Sequence, residues 1–513
     1  MQTTHKFLSR LSFFATVAVV AVFSVQAIIL NTLNPSETVT ALSITSITSN
    51  VGPTSGNELV TITGYFGTQV YITQISAGRD HSLALDSTGQ IWAWGVGGAG
   101  QLGNGTNENS NVPVEVDTTG VLANRQIIQV SAGGIHSLAL DSEGNVFAWG
   151  MGLNGQLGNG VSESSNVPVE VDMTGVLAGN PIIQISAGLN YSLALSESNR
   201  VFSWGLGMTG QLGNGGNDNH NTPVEVLDKP DIIQISAGAN HALALSSDGA
   251  VFAWGLGIGG QLGNGINTSS NVPVPVGVPE LLSGIIQVSA GLNYSLALSE
   301  DGSIFAWGVG GFGQLGNGVN TPSNIPVLVD LSSVPAERNM VQISAGWGHS
   351  LALDSTGQIW AWGLGIGGQL GNGTNESSNT PVAVNMSEFI AKQDIVQISA
   401  GGSFSLALDS AGNVFAWGLG IGGQLGNDTN ENTNIPVFSF GLNTPHITSI
   451  TLGGLPCTDI QIINPTTVTC ITPVHPAGVV DVTVTTVSGS VTLYQSYTFI
   501  DLPDVPNTGH ERI

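Results

Sequence analysis

The feature that most constrains the fold of this chain is a motif that occurs seven times. The pentapeptide GQLGN recurs at intervals of 55, 55, 50, 53, 55 and 55 residues, starting at Gly100, Gly155, Gly210, Gly260, Gly313, Gly368 and Gly423. Each copy has an SAG tripeptide upstream, so both halves of the unit are repeated. Periods of this size indicate a repeat architecture, in which each unit forms one supersecondary element and neighbouring units share a core.

The repeated unit is made of β-strands. One copy, residues 232–276, reads IIQISAGANHALALSSDGAVFAWGLGIGGQLGNGINTSSNVPVPV. Side chains in HALAL and VFAW alternate with a period of two, which indicates strands. The second face carries small rather than polar residues, so we expect sheets stacked face to face in an all-β protein. Because a buried aromatic ring contributes roughly 2–3 kcal/mol, we assign one tryptophan per unit to the core: Trp94, Trp149, Trp204, Trp254, Trp307, Trp362 and Trp417.

The glycine-rich GQLGN loop follows a strand, as phosphate-binding loops do, but it lacks their other features. No Gly-Lys-Ser/Thr sequence follows it, no helix is predicted after it, and it contains no cation. We predict that its glycines serve tight turns and close packing.

Four units carry a histidine at one repeat position, namely His81, His136, His241 and His349. The other three units have Tyr191, Tyr294 and Phe404 there. A position that accepts phenylalanine favours packing or hydrogen bonding over a ring of metal ligands. We therefore expect no metal ion and no cofactor.

The segment between GQLGN and the following proline is the most variable part of the unit and is rich in Asn, Ser and Thr. Its carboxylates are too sparse for a calcium loop, whose ligands stand at alternate positions. Two interpretations stay open, solvated turns or a contact surface repeated around a ring. The carboxylates are Glu108, Glu163, Asp218, Glu376, Asp428 and Glu431.

Charge limits the partners of the chain. It has 9 Lys and Arg against 35 Asp and Glu, a formal net charge of −26. Such a surface repels phosphate backbones, whose binding depends on Lys and Arg releasing counterions. We expect no nucleic acid and no anionic lipid as a partner.

Residues 1–27 are typical of a signal peptide, because two cations precede an apolar run that ends in SVQA. Val25 and Ala27 stand at the −3 and −1 positions of a cleavage site. If uncleaved, the run is about long enough to anchor the chain in a membrane. Both interpretations predict that the body of the protein is exported, secreted or on the cell surface.

In an exported protein, the pair Cys457 and Cys470 favours a disulfide, with a free thiol pair as the alternative.

The repeated unit resembles the regulator of chromosome condensation repeat. The resemblance lies in the AG..HSLAL, G.VFAWG and GQLGNG patterns and covers about Val70 to Phe440. Seven such repeats in that family form a seven-bladed β-propeller, which is the architecture that the resemblance implies. The first unit lacks a preceding WG half and the last lacks a following SAG strand. We expect these two ends to complete one blade and close the ring.

The segments that flank the repeats alternate as strands, but each has too few strands to bury a core. GPTSGNELVTITGYFG before the repeats, and ITLGG, TTVTCITP and GVVDVTVTTVSG after them, resemble the immunoglobulin-like IPT/TIG domain. The resemblance predicts a seven-bladed β-propeller inserted in a discontinuous immunoglobulin-like β-sandwich. In some extracellular members a bridge joins neighbouring strands where Cys457 and Cys470 fall, which adds to the disulfide interpretation.

The predicted organisation has five parts: a signal peptide or anchor at 1–27, sandwich segments at 42–68 and 442–500, the propeller at 69–441, and a tail at 501–513. The tail contains PNTG, which resembles a sortase signal. Val505 stands where leucine is usual, and no apolar segment follows. A truncated wall-anchoring signal and an accidental match are the two interpretations.

The sequence predicts a protein that binds rather than catalyses. No Ser/His/Asp, Cys/His or paired-carboxylate constellation stands apart from the repeat, although propeller channels host active sites in other proteins. The nuclear member of the repeat family is an exchange factor for a small GTPase and binds chromatin, a role that the export signal and the acidic charge disfavour. An exported seven-bladed relative inhibits β-lactamase, which keeps a secreted enzyme inhibitor as the alternative.

The leading hypothesis is a secreted or cell-surface protein that presents a propeller face to a protein or glycan. Trp347 in SAGWGHS and Phe312 in GVGGFGQLG replace smaller residues of the other units and are the candidate binding residues. We expect Trp347→Ala to weaken binding without unfolding the ring.

Overall fold

The structure is a computed structural model that describes residues 43–65, 70–227, 231–277, 282–386, 394–439, 442, 447–464, 467–486 and 489–501. The predicted signal peptide at 1–27 and the PNTG sequence lie outside the described residues. No helix within the described ranges is long and apolar enough to span a membrane. Described residues from 71 to 442 form one compact unit, and those on either side of them form a second.

The first unit contains seven four-stranded antiparallel sheets, which are the blades of a propeller. The innermost strands are β4 (Ile72–Ala77), β8 (Ile127–Ala132), β12 (Ile182–Ala187), β16 (Ile232–Ala237), β20 (Ile285–Ala290), β24 (Met340–Ala345) and β28 (Ile395–Ala400). The second strands are β5 (His81–Asp86), β9 (His136–Asp141), β13 (Tyr191–Ser196), β17 (His241–Ser246), β21 (Tyr294–Ser299), β25 (His349–Asp354) and β29 (Phe404–Asp409).

Two further strands complete each blade. The third strands are β6 (Ile91–Gly95), β10 (Val146–Gly150), β14 (Val201–Gly205), β18 (Val251–Gly255), β22 (Ile304–Gly308), β26 (Ile359–Gly363) and β30 (Val414–Gly418). The outermost strands are β7 (Ser110–Glu115), β11 (Ser165–Glu170), β15 (His220–Glu225), β19 (Ser270–Pro275), β23 (Ser323–Leu328), β27 (Ser378–Ala383) and β31 (Thr433–Phe438). Every outermost strand carries a proline, which has no N–H and so blunts an exposed sheet edge.

Burial follows from the alternation in the sequence. All residues of the second strands are buried, because large residues on one face and small residues on the other both pack against a neighbouring blade. Each core cluster joins the strands of one blade to the tryptophan of the next, as Leu83 and Leu85 with Trp149 show. The seven repeat tryptophans are at most 1% exposed.

The expectation that both ends of the repeat region share one blade is wrong. The first blade, β4–β7, and the seventh, β28–β31, are each complete. A single copy of the repeat, read from IIQISAG to the proline-containing strand, already supplies all four strands, so none is left to exchange. Side chains close the ring instead: Trp94 Nε1 donates to the Gln424 carbonyl over 2.9 Å, and the Gln397 amide bonds to Ile75.

The second unit is a β-sandwich built from both flanking segments. Its strands are β1 (Ser43–Thr48), β2 (Val51–Pro53), β3 (Leu59–Tyr65), β32 (Ile447–Leu452), β33 (Leu455–Pro456), β34 (Thr458–Asn464), β35 (Thr467–Ile471), β36 (Gly478–Thr486) and β37 (Gly489–Ile500). One sheet has the order β1-β3-β35-β34 and the other β2-β37-β36-β32-β33. Because β3 pairs with β35, neither segment completes the sandwich alone.

The core of the sandwich includes both cysteines. Cys457 and Cys470 are joined in a disulfide, with their Cα atoms 5.8 Å apart. Val60, Ile450 and Val482 are fully buried beside them. The predicted fold class, an all-β chain in which a seven-bladed propeller interrupts a discontinuous immunoglobulin-like sandwich, is confirmed.

Candidate functional site

Two rings of side-chain hydrogen bonds join the innermost strands of neighbouring blades. In every unit the glutamine of IIQISAG, or its equivalent, accepts a bond from a backbone N–H of the adjacent blade over 2.8–2.9 Å. The serine does the same over 2.9–3.0 Å. These bonds satisfy the N–H groups of an edge strand that has no further strand to pair with.

This glutamine and serine are not among the site residues predicted from the sequence. Their recurrence at the same position in all seven units is the sequence signal from which a shared role could have been predicted. Because both side chains form these inter-blade hydrogen bonds in every blade, the residues of the channel wall hold neighbouring blades together.

The GQLGN loop also connects neighbouring blades through a hydrogen bond. Its glutamine carbonyl accepts a hydrogen bond of 2.9–3.0 Å from the indole Nε1 of the tryptophan in the next blade. The glycine that follows, Gly103 in the first blade, has a φ of +67°, and a Cβ there would lie 2.7 Å from the Trp149 ring. Glycine is therefore required both for the turn and for the close approach.

The four repeat histidines are fully buried between blades. His241 Nε2 lies 2.9 Å from the Ser295 hydroxyl, which donates its own proton to the Gln261 carbonyl. Nε2 must therefore be the donor, which leaves Nδ1 an acceptor without a partner. Burial lowers the pKa of all four imidazoles from 6.5 to about 3, with charges on His136 and Arg79 adding to the effect at His81.

Two sets of connections meet at one end of every blade, which we call the loop face. One set joins the first and second strands, and the other, which contains GQLGN, joins the third and fourth. Backbone bonds hold the two sets together, for example Val96 N–H to the Asp80 carbonyl at 2.9 Å. At the centre of this face the channel mouth is a cavity of about 80 Å³, lined mainly by the repeated Ala and Gly residues. Among the described residues, no group of three His, Cys, Asp or Glu side chains is placed to hold a metal ion.

Large apolar side chains stand exposed around the loop face. They come from one connection in six of the seven blades and are 52–71% exposed. Five occupy the same repeat position, and Phe312 lies one residue further along, after Gly311. The first blade has Gly98 at that position. We call this set the apolar arc: Leu153, Met208, Ile258, Phe312, Ile366 and Ile421.

Both candidate binding residues lie on the loop face, where Phe312 comes close to the segment that carries Trp347. Phe312 Cδ2 lies 3.7 Å from the position that a Cβ on Gly348 would take, and Gly348 follows Trp347 directly. Trp347 is half-buried at the channel mouth, and the Arg79 guanidinium lies 5.7 Å from the centroid of its ring. Arg79 also forms an ion pair with Asp80.

The exposed charge of the loop face is mainly negative. The six loop carboxylates named above are all exposed on the loop face, outside the channel mouth. In the part of the chain that the structure describes, Arg79 is the one Lys or Arg of this face. Arg125, Arg200 and Arg338 lie at the opposite end, where each is paired with a carboxylate. The loop face therefore combines an apolar arc with an acidic perimeter.

Comparison with protein families identifies both units. The profile of the RCC1-like domain matches residues 118–457, and profiles of the regulator of chromosome condensation (RCC1) repeat match 72–101 and 88–140. The IPT/TIG domain profile matches 428–499. That match does not include β1–β3, which the structure pairs with the same sandwich.

Individual proteins give the same result. The Ultraviolet-B receptor UVR8 of Arabidopsis thaliana is 35% identical over 366 residues, covering 71% of this chain and 69% of the receptor. The E3 ubiquitin-protein ligase HERC2 of Homo sapiens is 34% identical over 388 residues, which are 74% of this chain and 7% of the ligase.

Two solved structures share the fold. Human WBSCR16 has a TM-score of 0.62 and 23% identity, covering 75% of this chain and 98% of that one. Prp20p from Saccharomyces cerevisiae has a TM-score of 0.62 and 24% identity, covering 79% and 93%. With the profile matching residues 118–457 and UVR8 covered over 69% of its length, the chain belongs to the RCC1-like domain family, and it also carries an IPT/TIG domain.

Proposed function

We propose that this chain is a non-catalytic binding protein that presents the loop face of its propeller to a protein partner. The observation that carries the proposal is the apolar arc. An isolated exposed aliphatic residue needs no explanation, but exposed residues at the same position in successive blades form a repeated contact surface. The half-buried Trp347, on the same face as Phe312, adds an aromatic side chain of the kind that dominates binding energy in interfaces.

Binding rather than catalysis is supported by how the recurring polar residues are used. The glutamines, serines and histidines of the repeat are engaged in bonds between blades. Proteins of the same fold provide a precedent, since the Prp20p structure reports binding properties to Gsp1p and histones. For this chain an acidic loop face disfavours nucleic acid and supports a protein partner.

We propose further that the protein works outside the cell or at its surface. The apolar run after Leu11 and the disulfide between Cys457 and Cys470 support this location, because disulfides persist in oxidising compartments. Protease treatment of intact cells that express a tagged chain tests it. Protection of the tag until the cells are lysed would contradict the proposal.

The binding proposal is tested with the full chain as immobilised bait. The variant Ile258→Ser/Ile366→Ser/Ile421→Ser removes half of the apolar arc, and Val121→Ser/Val176→Ser is the matched control at the opposite end, where both valines are 40% exposed. Exposed substitutions of this kind change stability by about 0.5 kcal/mol or less. We expect the arc variant to lose the captured protein and the control to keep it.

Two outcomes would change the interpretation. Equal capture by the arc variant and the native chain would contradict a loop-face site. Capture of one secreted enzyme whose activity falls on binding would favour the alternative function, an enzyme inhibitor. A glycan array incubated with the same three proteins distinguishes a glycan partner from a protein.

A further inference from the structure

The connection between the third and fourth strands bears a carboxylate at one repeat position in five of the seven blades. The position lies eight residues after the first glycine of GQLGN. It is also the same position in space, because in every blade its carbonyl oxygen lies directly against the glycine that precedes the position of the apolar arc. In the fourth and fifth blades the residue is Thr268 and Thr321. The five carboxylate residues are Glu108, Glu163, Asp218, Glu376 and Glu431.

The fourth and fifth blades are neighbours, so a continuous part of the loop face carries no charge. Their connections between third and fourth strands, residues 256–269 and 309–322, contain no Asp, Glu, Lys or Arg. The adjoining connections between first and second strands, residues 291–293 and 346–348, contain none either. In blade order Asp218 precedes this part of the face and Glu376 follows it, and both are exposed.

Each of these two blades exposes a pair of large apolar side chains. Ile258 and Ile266 of the fourth blade are 69% and 54% exposed, and Phe312 and Val319 of the fifth are 52% and 46% exposed. We call these four residues the uncharged sector. It differs from the rest of the apolar arc, where a carboxylate stands in the same connection as each exposed side chain.

Contacts between blades make this part of the face continuous. Gly259, next to Ile258, approaches the fifth blade, where a Cβ on the glycine would lie 2.9 Å from Val309 Cγ2. Phe312 of the fifth blade in turn approaches the segment that carries Trp347. Apolar surface therefore extends from the fourth blade to the half-buried tryptophan at the channel mouth.

We propose that the uncharged sector is the part of the loop face that docks the protein partner, and that the partner presents aliphatic or aromatic side chains flanked by Lys or Arg. Protein interfaces have a centre depleted of charge inside a polar rim, and the sector with Asp218 and Glu376 on either side has this arrangement. Cations on the partner complement those carboxylates, whereas a second copy of this chain would bring like charges together. The inference rests on the proposed function, because it names the area used and the chemistry of what binds there.

The first experiment determines the chemistry of the partner with peptides as the probe. A phage library of random peptides about a dozen residues long is panned on the full protein, and the selected peptides are synthesised and titrated calorimetrically. We expect enrichment over the unselected library in Lys or Arg as well as in apolar residues. Enrichment in apolar residues without Lys or Arg would overturn the inference but not the proposed function. Failure to select any peptide would contradict both.

Matched variants locate the site. Ile258→Ser/Ile266→Ser changes the uncharged sector, and Leu153→Ser/Val161→Ser changes the same two repeat positions in the second blade, where Glu163 shares the connection. With unchanged melting temperatures, the sector variant should bind the selected peptides at least about tenfold more weakly, and the second-blade variant within about twofold of the native chain. The reverse order would overturn the sector and leave a loop-face function intact. Equal binding by all three proteins would overturn the sector as well, and the arc variant then shows whether the loop face binds the peptides.

A second pair of variants tests the role of charge. Asp218→Asn/Glu376→Gln removes the carboxylates on either side of the sector, and Glu163→Gln/Glu431→Gln removes two exposed carboxylates from blades that do not border it. The first variant should weaken binding about threefold or more at about 0.05 M ionic strength and less at about 0.5 M, because salt screens exposed charges. Equal losses in both variants would show attraction by net charge alone and would overturn the inference. So would dimerisation of the protein, measured by sedimentation, that the sector variant abolishes.

Discussion

The buried histidines make acid stability a sensitive test of the inter-blade joints. His241 is fully buried, its Nδ1 has no partner, and burial lowers its pKa from 6.5 to about 3. Below the unfolded pKa the unfolded chain binds a proton that the folded chain does not, so stability is present above 6.5 and is lost as the pH falls toward 3. About pH 5 lies 1.5 units below the unfolded pKa, so the free energy of unfolding falls there by about 2 kcal/mol.

The perturbation is His241→Phe, which copies the residue of the seventh blade. There Phe404 occupies the equivalent place, and the neighbouring Ser82 hydroxyl still donates to the Gln424 carbonyl. At about pH 7.5 the variant loses one neutral hydrogen bond and should be destabilised by about 1 kcal/mol. At about pH 5 it escapes the protonation cost of about 2 kcal/mol, so its stability relative to the native chain should improve by that amount.

The assay is urea unfolding at both pH values, followed by tryptophan fluorescence. The reciprocal variant Phe404→His is the control, and it should lose about 2 kcal/mol more than the native chain between the same pH values. An identical pH dependence for all three proteins would refute the reasoning. So would an imidazole NMR signal of His241 that titrates near 6.5 in the folded protein.

Three further predictions concern the joints and the loop face. Gly103→Ala should lower the melting temperature more than Gly105→Ala, because both residues have positive φ but only the Cβ at Gly103 meets a neighbouring indole. Comparable losses would contradict the packing role of that glycine. Gln397→Ala removes two hydrogen bonds to the first blade and should cost about 2 kcal/mol; unchanged thermal unfolding would show that the glutamine ring contributes little. Trp347→Ala should weaken partner binding in surface plasmon resonance, and a large fall in melting temperature would assign Trp347 to the core instead.

Much of the architecture was predictable because the repeat is local. Alternation in HALAL and VFAW predicts buried strands, and one tryptophan per unit predicts a shared core, without knowledge of any distant contact. The interval of 50 residues between two GQLGN motifs likewise indicated that one repeat has a shorter connection than the others.

The candidate site was predicted only in part. Trp347 and Phe312 were selected because each departs from its repeat, but Leu153, Ile258 and their equivalents were not, since hydrophobic residues in a strand-rich chain are normally buried. A count of aliphatic residues within the glycine-rich connection would have drawn attention to them. Their exposure is a property of the folded ring.

The amino-acid sequence by itself determined the strands, the repeat and the residues that fill the core, because these depend on side-chain periodicity over a few residues. Only the tertiary structure decided how the ring closes and which residues share a face. Gln397 meets Ile75 across 322 residues of chain, and the glutamine, serine and histidine side chains find their partners in the adjacent blade. Such contacts exist only when separate sheets pack together, so no pattern within one unit specifies them.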